Sequence, residues 1–280
     1  MEIMKNSSAL VNKNTIDTIA IGGFDGMHIA HQELFKNLGE NGAIVCIETG
    51  YANLTPKNYR QEYTHYPIYY YVLENIKKLE GTEFVKLLKE DFTALKKIVI
   101  GFDFCFGKNR KYCIDELKKI FDGEVVVISE IKFDEYPIHS RHIREFIKDG
   151  NIKKANKFLG KEYKIYGTAI KGQGLGKSDF VPTINLRIDD FLLPKDGVYI
   201  SKTTIDSIEY NSVSFIGNRK TTDDTFAIET HILDKSIDFN NLNISIKFIE
   251  RIRDNKKFND FIELKNEILN DIDTAKKYFY

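Results

Sequence analysis

The chain has 280 residues, and its 41 Lys and Arg side chains balance its 41 Asp and Glu side chains. This length suits about two domains. A net charge of zero removes the general electrostatic reason to expect nucleic acid or an acidic membrane as a partner, although it leaves room for local anion pockets. Hydrophobic residues form 42% of the chain, which is enough for two buried cores and argues against disorder.

The three cysteines, Cys46, Cys105 and Cys113, contain no C-x-x-C pair. Their number and spacing argue against a disulfide framework or a structural zinc site and favour a reducing compartment. The polar first residues do not resemble a signal peptide, and no apolar stretch approaches the roughly 20 residues of a membrane span. We therefore expect a cytoplasmic protein without a membrane partner.

The first half of the chain alternates strand-like and helix-like patterns. Short β-branched runs predict strands at residues 18–22, 43–47, 98–100 and 124–129. Apolar residues at helical spacing predict helices at residues 32–38, 70–78, 83–89 and 114–121. Strands that alternate with helices are typical of a doubly wound α/β sheet of the nucleotide-binding type.

The pattern changes in the second half. Residues 144–159 indicate one or two helices, broken at residues 149–150. Beyond them, β-branched and aromatic runs predict strands at residues 163–169, 197–204, 212–216, 226–233 and 244–249, and residues 258–280 have helical spacing. Short strands followed by one helix indicate a β-barrel with a C-terminal helix. We therefore predict two domains, residues 1–158 and residues 159–280.

Residues 23–31 (GFDGMHIAH) connect the first predicted strand to the first predicted helix. His28 and His31 are three residues apart, so they share one side of a helix start, where free N–H groups and the helix dipole favour phosphate. Two imidazoles there can hold a polyphosphate and stabilise a leaving pyrophosphate. The alternative is a pair of surface or capping histidines with no ligand.

This motif resembles the G-x-D-x-x-H-x-G-H signature of the nucleotidylyltransferase superfamily and, more closely, the FMN adenylyltransferase module of bacterial bifunctional FAD synthetases. Residues 101–108 (GFDFCFGK) and 138–144 (IHSRHIR) are similar to the G-x-D-F-x-F-G and I-S-S-T-x-[IV]-R stretches of that module. The resemblance implies a Rossmann-like domain in which His28 and His31 are catalytic. It also implies ATP contacts from Gly23, Asp25, Ser140, Arg141 and Arg144, and flavin contacts from Asp103, Phe104 and Phe106.

The chain departs from that module's pattern in three places. Ala30 stands in place of a glycine, and His139 and Arg141 replace a serine and a threonine. Glu48 is what remains of an F-E-P-H-P segment. A guanidinium at residue 141 can still bind phosphate, because it is a better anion clamp than a hydroxyl. These departures leave open a first domain that has lost adenylyl transfer.

Residues 171–177 (KGQGLGK) place Gly172, Gly174 and Gly176 at alternate positions before Lys177. Alternate glycines let backbone N–H groups approach phosphate oxygens, and the lysine adds a point charge. The alternative is a flexible hairpin tip.

Thr183 and Asn185 lie just downstream, two residues apart, so both point to one face of an extended segment. A hydroxyl and an amide carbonyl are hard oxygen ligands that suit Mg²⁺ bound to ATP phosphates. The alternative is a proline turn with two polar residues.

Together these segments resemble the riboflavin kinase (flavokinase) family, whose motifs occur in the same order over nearly all of residues 163–280. The matching segments are residues 171–177, 182–186 (PTINL), 194–199 (PKDGVY), 215–218 (FIGN), 227–233 (AIETHIL), 246–258 and 271–275. The resemblance implies that Glu229 is the catalytic base for the riboflavin 5′-hydroxyl. It further implies ATP phosphates at the glycine loop, Mg²⁺ on Thr183 and Asn185, and a flavin contact from Arg253.

We therefore predict an enzyme of flavin cofactor synthesis. It phosphorylates riboflavin with ATP to FMN and adenylylates FMN with a second ATP to FAD and pyrophosphate, with Mg²⁺ in both steps. Riboflavin, FMN, FAD and ATP are the expected partners, and the oligomeric state stays open. The alternatives are a riboflavin kinase with a degenerate first domain, a non-catalytic flavin-binding protein and, for the first domain, an adenylyltransferase for another small phosphate.

Overall fold

The computed structural model describes residues 12–170, 181–235 and 243–280. Contacts divide the chain into two units, Met1–Ser140 and Arg141–Tyr280. Within the described ranges, no helix is both long enough and apolar enough to cross a lipid bilayer.

In the described part of the first unit, a parallel sheet has five strands in the order β3-β2-β1-β4-β5. The strands are β1 (Thr18–Gly22), β2 (Gly42–Glu48), β3 (Ile68–Val72), β4 (Lys97–Gly101) and β5 (Glu124–Ile128). The helices are α1 (Ile29–Phe35), α2 (Leu73–Ile76), α3 (Gly81–Asp91) and α4 (Ile114–Ile120), and a short ribbon of β6 (Lys132–Phe133) and β7 (Tyr136–Pro137) follows. The strand order changes direction between β1 and β4, and open α/β sheets bind ligands beyond the carboxyl ends of strands at such a point.

Both faces of this sheet are buried. Ile19 and Ile21 of β1 pack in one apolar cluster with Phe84 of α3. Ala20, between them, packs in a second cluster with Leu34 of α1. Because alternate residues of a strand point to opposite faces, helices cover the sheet on both sides. The predicted doubly wound α/β sheet is confirmed.

The predicted helix at residues 70–78 is wrong in its first part, because Ile68–Val72 is strand β3 and the helix α2 spans only Leu73–Ile76. Tyr70 pairs with Cys46 on the buried strand β2. Aromatic and β-branched side chains favour extended backbone. Pairing with a buried strand therefore outweighs the helical spacing of this segment.

The prediction against a disulfide framework did not foresee a single bond: Cys105 and Cys113 are disulfide-bonded, whereas Cys46 is free and buried. The chain between the bonded pair turns back on itself. The Phe106 N–H donates to the Tyr112 carbonyl at 2.7 Å, and the Tyr112 N–H donates to the Phe106 carbonyl at 3.3 Å. This backbone bridge brings the two cysteines together, and residue spacing alone does not reveal it.

Replacing both Cys105 and Cys113 with Ser is expected to lower the free energy of unfolding by about 2 to 3 kcal/mol, because the disulfide restricts a short loop of the unfolded chain. Urea unfolding of the oxidised wild type, the reduced wild type and the double variant measures this effect. The reduced wild type is the matched control, since it keeps every side chain. Three coincident unfolding curves would show that the disulfide has no such role.

In the described part of the second unit, six antiparallel strands form a closed barrel in the order β10-β11-β12-β9-β8-β13. The strands are β8 (Tyr163–Ile170), β9 (Ile184–Arg187), β10 (Gly197–Ile205), β11 (Ile208–Asn218), β12 (Phe226–Ile232) and β13 (Asn243–Asp254). Helices α5 (Ser140–Lys148) and α6 (Ile152–Leu159) precede the barrel, and α7 (Phe261–Phe279) follows it. The predicted barrel with a C-terminal helix is confirmed.

Helix α6 packs with the barrel. Asn156 Nδ2 donates to the Phe248 carbonyl at 2.8 Å, and the Tyr163 N–H donates to Asn156 Oδ1 at 2.8 Å. These contacts hold α6 against the barrel, and both belong to the unit Arg141–Tyr280. The division of two functional domains after residue 158 stays a prediction.

Buried hydroxyl groups fill part of the barrel interior. Five side-chain hydroxyl groups form a closed ring of hydrogen bonds, with 2.8 to 3.0 Å between consecutive oxygen atoms. The order is Ser201, Ser212, Thr203, Thr230, Ser214 and back to Ser201. A hydroxyl can donate one hydrogen bond and accept another, so the ring satisfies each member. The ring ties three strands together from inside and fixes the strand segment that carries the candidate base at residue 229.

Candidate functional site

A compact polar cluster lies on the barrel at strands β9 and β12. Glu229 on β12 is directly opposite Asn185 on β9. Arg219, which follows the end of β11, donates to Glu229 Oε1 from Nε at 3.0 Å and from Nη2 at 2.7 Å. The same Nη2 donates to Asn185 Oδ1 at 2.6 Å. One guanidinium therefore joins the predicted base to a predicted metal ligand.

The segment before β9 is held by a histidine of β12. His231 Nδ1 lies 2.8 Å from the carbonyl oxygen of Pro182, so the N–H at Nδ1 donates to it. Burial lowers the pKa of His231, the contact with Pro182 opposes this shift, and the N–H at Nδ1 can donate in either protonation state. His231 thereby anchors the turn that leads to Thr183, whose side chain is exposed.

The oxygen atoms of this cluster suit a hard cation. Thr183 and Asn185 offer neutral oxygens, and Glu229 adds a carboxylate from the paired strand. A cation already lies among them, since the Arg219 guanidinium contacts both Asn185 and Glu229. The oxygen atoms are therefore compatible with the predicted Mg²⁺, and the metal contacts of Thr183 and Asn185 stay predictions.

The predicted phosphate loop, with Gly172, Gly174, Gly176 and Lys177, lies outside the described residues. Its last described neighbour is Ile170, at the end of β8, which pairs with Asn185. The described chain therefore stops beside the polar cluster, and the loop's phosphate contacts stay a prediction.

Arg253 on β13 forms an ion pair with Asp271 of α7. Its Nη2 and Nε donate to the carboxylate at 2.7 and 2.9 Å, and the Asp271 side chain is buried. The guanidinium also lies 5.6 Å from the centre of the Phe258 ring. Arg253 thus fastens the C-terminal helix to the barrel, and its predicted flavin contact stays a prediction.

The histidines of the first motif lie together in the first unit. His28 is the N-cap residue of α1, His31 is in its first turn, and their rings stack with centres 3.5 Å apart. The turn before them is tight, because Phe24 and Met27 have φ values of 48° and 44°. Such values are uncommon for residues other than glycine, so the fold enforces the approach of the two histidines.

Asp25 is held by backbone groups of the first unit, and its ATP contact stays a prediction. Its carboxylate accepts the N–H groups of Asn53, Leu54 and Thr55 at 3.2, 3.0 and 2.9 Å. Ser140 Oγ donates to the Asp25 carbonyl oxygen at 2.7 Å. Asp25 and Ser140 therefore meet, and Asp25 shapes the segment after β2.

The other predicted ATP ligands are less closely fixed. Gly23 begins the turn after β1, and an added Cβ there would meet only the Ile47 carbonyl oxygen, at 3.9 Å. Arg141 and Arg144 lie on α5, and Arg141 is exposed. Arg141 Nη2 lies 3.3 Å from His142 Nε2. The ATP contacts of these residues stay predictions.

The predicted flavin residues follow β4. Asp103 is exposed, Phe104 is half-buried, and Phe106 is in the core at 6% exposure. The rings of Phe104 and Phe106 are stacked with centres 5.7 Å apart. Asp103 and Phe104 are therefore more accessible to a ligand than Phe106.

Sequence reasoning missed three residues that organise these sites: Arg219, His231 and Arg60. Arg60 is fully buried, and its Nη1 donates to Glu48 Oε1 at 2.5 Å at the carboxyl end of β2. Its guanidinium carbon lies 5.7 Å from the centre of the Tyr70 ring. The segment after β2 offers no apolar pattern that marks an arginine as buried. The contacts that Arg219 and His231 make with other strands depend on how those strands pair, and the spacing of residues in the sequence does not show this pairing.

Comparison with known proteins gives consistent similarities. A riboflavin kinase family model matches residues 159–279. The bifunctional riboflavin kinase/FMN adenylyltransferase of Buchnera aphidicola is 29% identical, and the match covers 100% of this chain and 98% of that protein. The proteins of the same description from Haemophilus influenzae and Bacillus subtilis are 28% and 27% identical, and each match covers 93% of this chain.

Among solved structures, the chain is similar to a crystal structure titled as a macrolide-efflux protein from Streptococcus pneumoniae. The two are 27% identical with a TM-score of 0.80, and the match covers 95% of this chain and 97% of that one. The curated relatives match both halves of the chain, and the family model matches the half that contains the barrel. On these grounds the chain is similar over its whole length to bifunctional riboflavin kinase/FMN adenylyltransferases, and residues 159–279 match the riboflavin kinase family.

Proposed function

We propose that the chain makes FMN and FAD, as a bifunctional riboflavin kinase and FMN adenylyltransferase with ATP as co-substrate of both steps. The observation that carries the proposal is the polar cluster on the barrel. A carboxylate and an amide oxygen face each other on paired strands, within a unit that resembles riboflavin kinases over residues 159–279. This set can orient a hydroxyl and hold a metal–phosphate group, which phosphoryl transfer requires.

In the kinase step, Glu229 accepts the proton of the riboflavin 5′-hydroxyl as its oxygen attacks the γ-phosphorus of ATP. The bond between the γ-phosphorus and the bridging oxygen breaks, and ADP leaves. Thr183 and Asn185 hold Mg²⁺, which, when bound, screens the phosphate charges. Backbone N–H groups of the loop at Gly172, Gly174 and Gly176, with Lys177, bind the phosphates. No covalent bond to the protein forms.

In the second step, a phosphate oxygen of FMN attacks the α-phosphorus of ATP, and pyrophosphate leaves. His28 and His31 stabilise the charge on the leaving pyrophosphate, because two imidazoles at one helix start direct N–H donors to one side. The stacked rings of these histidines support this role. Further ATP contacts come from the remaining ligands of the first motif set, Gly23, Asp25, Ser140, Arg141 and Arg144. Asp103, Phe104 and Phe106 contact the flavin of this step, whereas Arg253, on the barrel, contacts flavin in the kinase unit.

The working setting of the enzyme follows from these substrates. We place it in the cytoplasm, where ATP and Mg²⁺ are available, with riboflavin, FMN, FAD and ATP as its partners and without nucleic acid or membrane. The balanced charge of 41 basic and 41 acidic side chains agrees with small anions bound in local pockets.

A riboflavin kinase that lacks adenylyl transfer is the second candidate. The first unit motivates it, because Ala30, His139 and Arg141 depart from the expected motifs. The Asp25 carboxylate is, in addition, engaged by the backbone of residues 53–55.

Chromatography of the products formed from riboflavin and Mg-ATP tests both candidates. We expect FMN first and FAD afterwards, and FAD with pyrophosphate when FMN and ATP are supplied instead. FMN that accumulates without FAD would establish the kinase-only candidate. Flavin binding with neither product would establish a non-catalytic flavin-binding protein.

A further inference from the structure

The Arg219 guanidinium uses all three of its nitrogen atoms. Nε and Nη2 donate to Glu229 Oε1, Nη2 donates to Asn185 Oδ1, and Nη1 donates to Thr225 Oγ1 at 3.1 Å. The Arg219 and Glu229 side chains are 18% and 21% exposed, so much of this contact is shielded from water. Nε and Nη2 both donate to one carboxylate oxygen, and charge-assisted hydrogen bonds of this kind are stronger than neutral ones.

The backbone holds Arg219 in this position. Its N–H donates to the Thr225 carbonyl at 2.9 Å, and its carbonyl accepts the N–H of Thr222 at 2.9 Å. These bonds close the turn between β11 and β12. The guanidinium therefore starts from a fixed point and reaches across β12 to β9.

A cation on the Asn185 amide oxygen matters for metal binding. Asn185 is a neutral ligand, and a metal ion that takes its oxygen must displace the positive Arg219 Nη2 or share the oxygen with it at 2.6 Å. Two cations on one amide oxygen repel each other. Glu229 also accepts a hydrogen bond from Nε, whereas Asn185 accepts from Nη2. Arg219 can therefore release Asn185 and keep its contact with Glu229 through Nε.

We infer that Arg219 is a positioning residue of the kinase site, which holds Glu229 in place and competes with the metal ion for Asn185. This inference rests on the proposed kinase function. Arg219 sets two properties in opposite directions, because it supports the orientation of the base and weakens the binding of the metal. Arg219 also couples these two properties, because a metal ion that binds Asn185 displaces the guanidinium from Asn185 and leaves it in contact with Glu229.

Replacing Arg219 with Met removes the cation and keeps a side chain of similar length. Binding of Mn²⁺ alone to the full-length chain, followed by the electron paramagnetic resonance signal of the free ion, should tighten about 10-fold, because a charge-assisted competitor is lost. The double variant Arg219→Met/Asn185→Ala should lose this gain. Arg187→Met is the matched control, since Arg187 is an exposed arginine of β9 paired only loosely with Asp189 at 3.4 Å.

Steady-state kinetics gives the second readout. In Arg219→Met, kcat for riboflavin phosphorylation should fall about 10-fold or more because the base loses its positioning contact. The Mg²⁺ concentration that gives half of the maximal rate should fall as well. An unfolded barrel would lower kcat without lowering this Mg²⁺ concentration. Arg219→Lys keeps a charge for Glu229 and should retain more of kcat than Met. FAD formation from FMN in the same chain reports on the first unit.

Unchanged Mn²⁺ affinity in Arg219→Met would overturn the inference, and so would a gain that survives the loss of Asn185. If Arg219→Met does not fold, Arg219→Gln must still tighten Mn²⁺ binding, because it also removes the cation that contacts Asn185. The metal measurement requires no turnover. A wild type that binds Mn²⁺ as expected but makes no FMN would therefore overturn the proposed function and the positioning role of Arg219, and would leave only its competition with the metal ion for Asn185.

Discussion

Replacing Glu229 with Gln is expected to lower kcat for riboflavin phosphorylation by about 100- to 10,000-fold, the range that a general base contributes. Gln has nearly the same shape and can still accept from Arg219, so the clamp to Asn185 persists. It cannot take up a proton as the new phosphate bond forms. An alanine at this position would also leave the guanidinium without a hydrogen-bond acceptor, so Gln separates the loss of the base from the loss of this contact.

The measurement is the initial rate of FMN formation from riboflavin at saturating Mg-ATP. Glu209→Gln is the matched control, because Glu209 is also an ion-paired carboxylate of the barrel, bound to Lys247 at 2.5 Å and far less enclosed at 37% exposure. We expect the control to keep its kinase rate and Glu229→Gln to keep FAD formation from supplied FMN. A Glu229→Gln variant within about threefold of the wild-type kinase rate would exclude Glu229 as the base.

Strand prediction succeeded where burial dominates the local pattern. Strand β1 spans Thr18–Gly22, as its apolar run predicts, because a strand buried on both faces is almost continuously hydrophobic. Strand β3 is half-buried at the edge of the sheet, and its three consecutive tyrosines fit two interpretations. Its pairing with β2 decides between them, and this pairing is a long-range contact that a local pattern does not contain.

The sequence predicted individual residues of the candidate kinase site but not the contacts between them. Thr183, Asn185 and Glu229 come from ordered motifs, and the structure sets Asn185 opposite Glu229 on adjacent strands. Arg219 is 34 residues from Asn185 in the chain, and the two meet only because β12 lies between β11 and β9 in the barrel. The role of Arg219 follows from strand order and register, which residue spacing does not specify.

The first unit shows a second limit. Asp25 belongs to a motif that implies ATP contact, yet its carboxylate caps three backbone N–H groups of residues 53–55. A motif identifies a side chain by type and spacing, but it does not show which backbone groups that side chain contacts. The backbone contacts of a short loop are not visible in the pattern of its side chains.

Replacing His28 with Asn is expected to lower the rate of FAD formation from FMN and ATP by about 100- to 1,000-fold, the usual cost of losing a donor that stabilises transition-state charge. His28 is the N-cap residue of α1, and the side chain of Asn suits an N-cap. The substitution therefore removes the imidazole and its stacking on His31 while the start of the helix is retained. FMN formation from riboflavin in the same chain should be unchanged.

Pyrophosphate release from FMN and Mg-ATP measures this effect directly. His65→Asn is the matched control, because His65 is an exposed histidine of the same unit whose ring lies 4.1 Å from that of Tyr66. Normal FAD formation by His28→Asn would show that the stacked histidines have no catalytic role and only form the start of helix α1. A loss in both histidine variants would point to the stability of the unit, which thermal unfolding of each variant measures. A loss confined to His28→Asn ties adenylyl transfer to the imidazole itself, because the backbone cap and the neighbouring kinase activity are both kept.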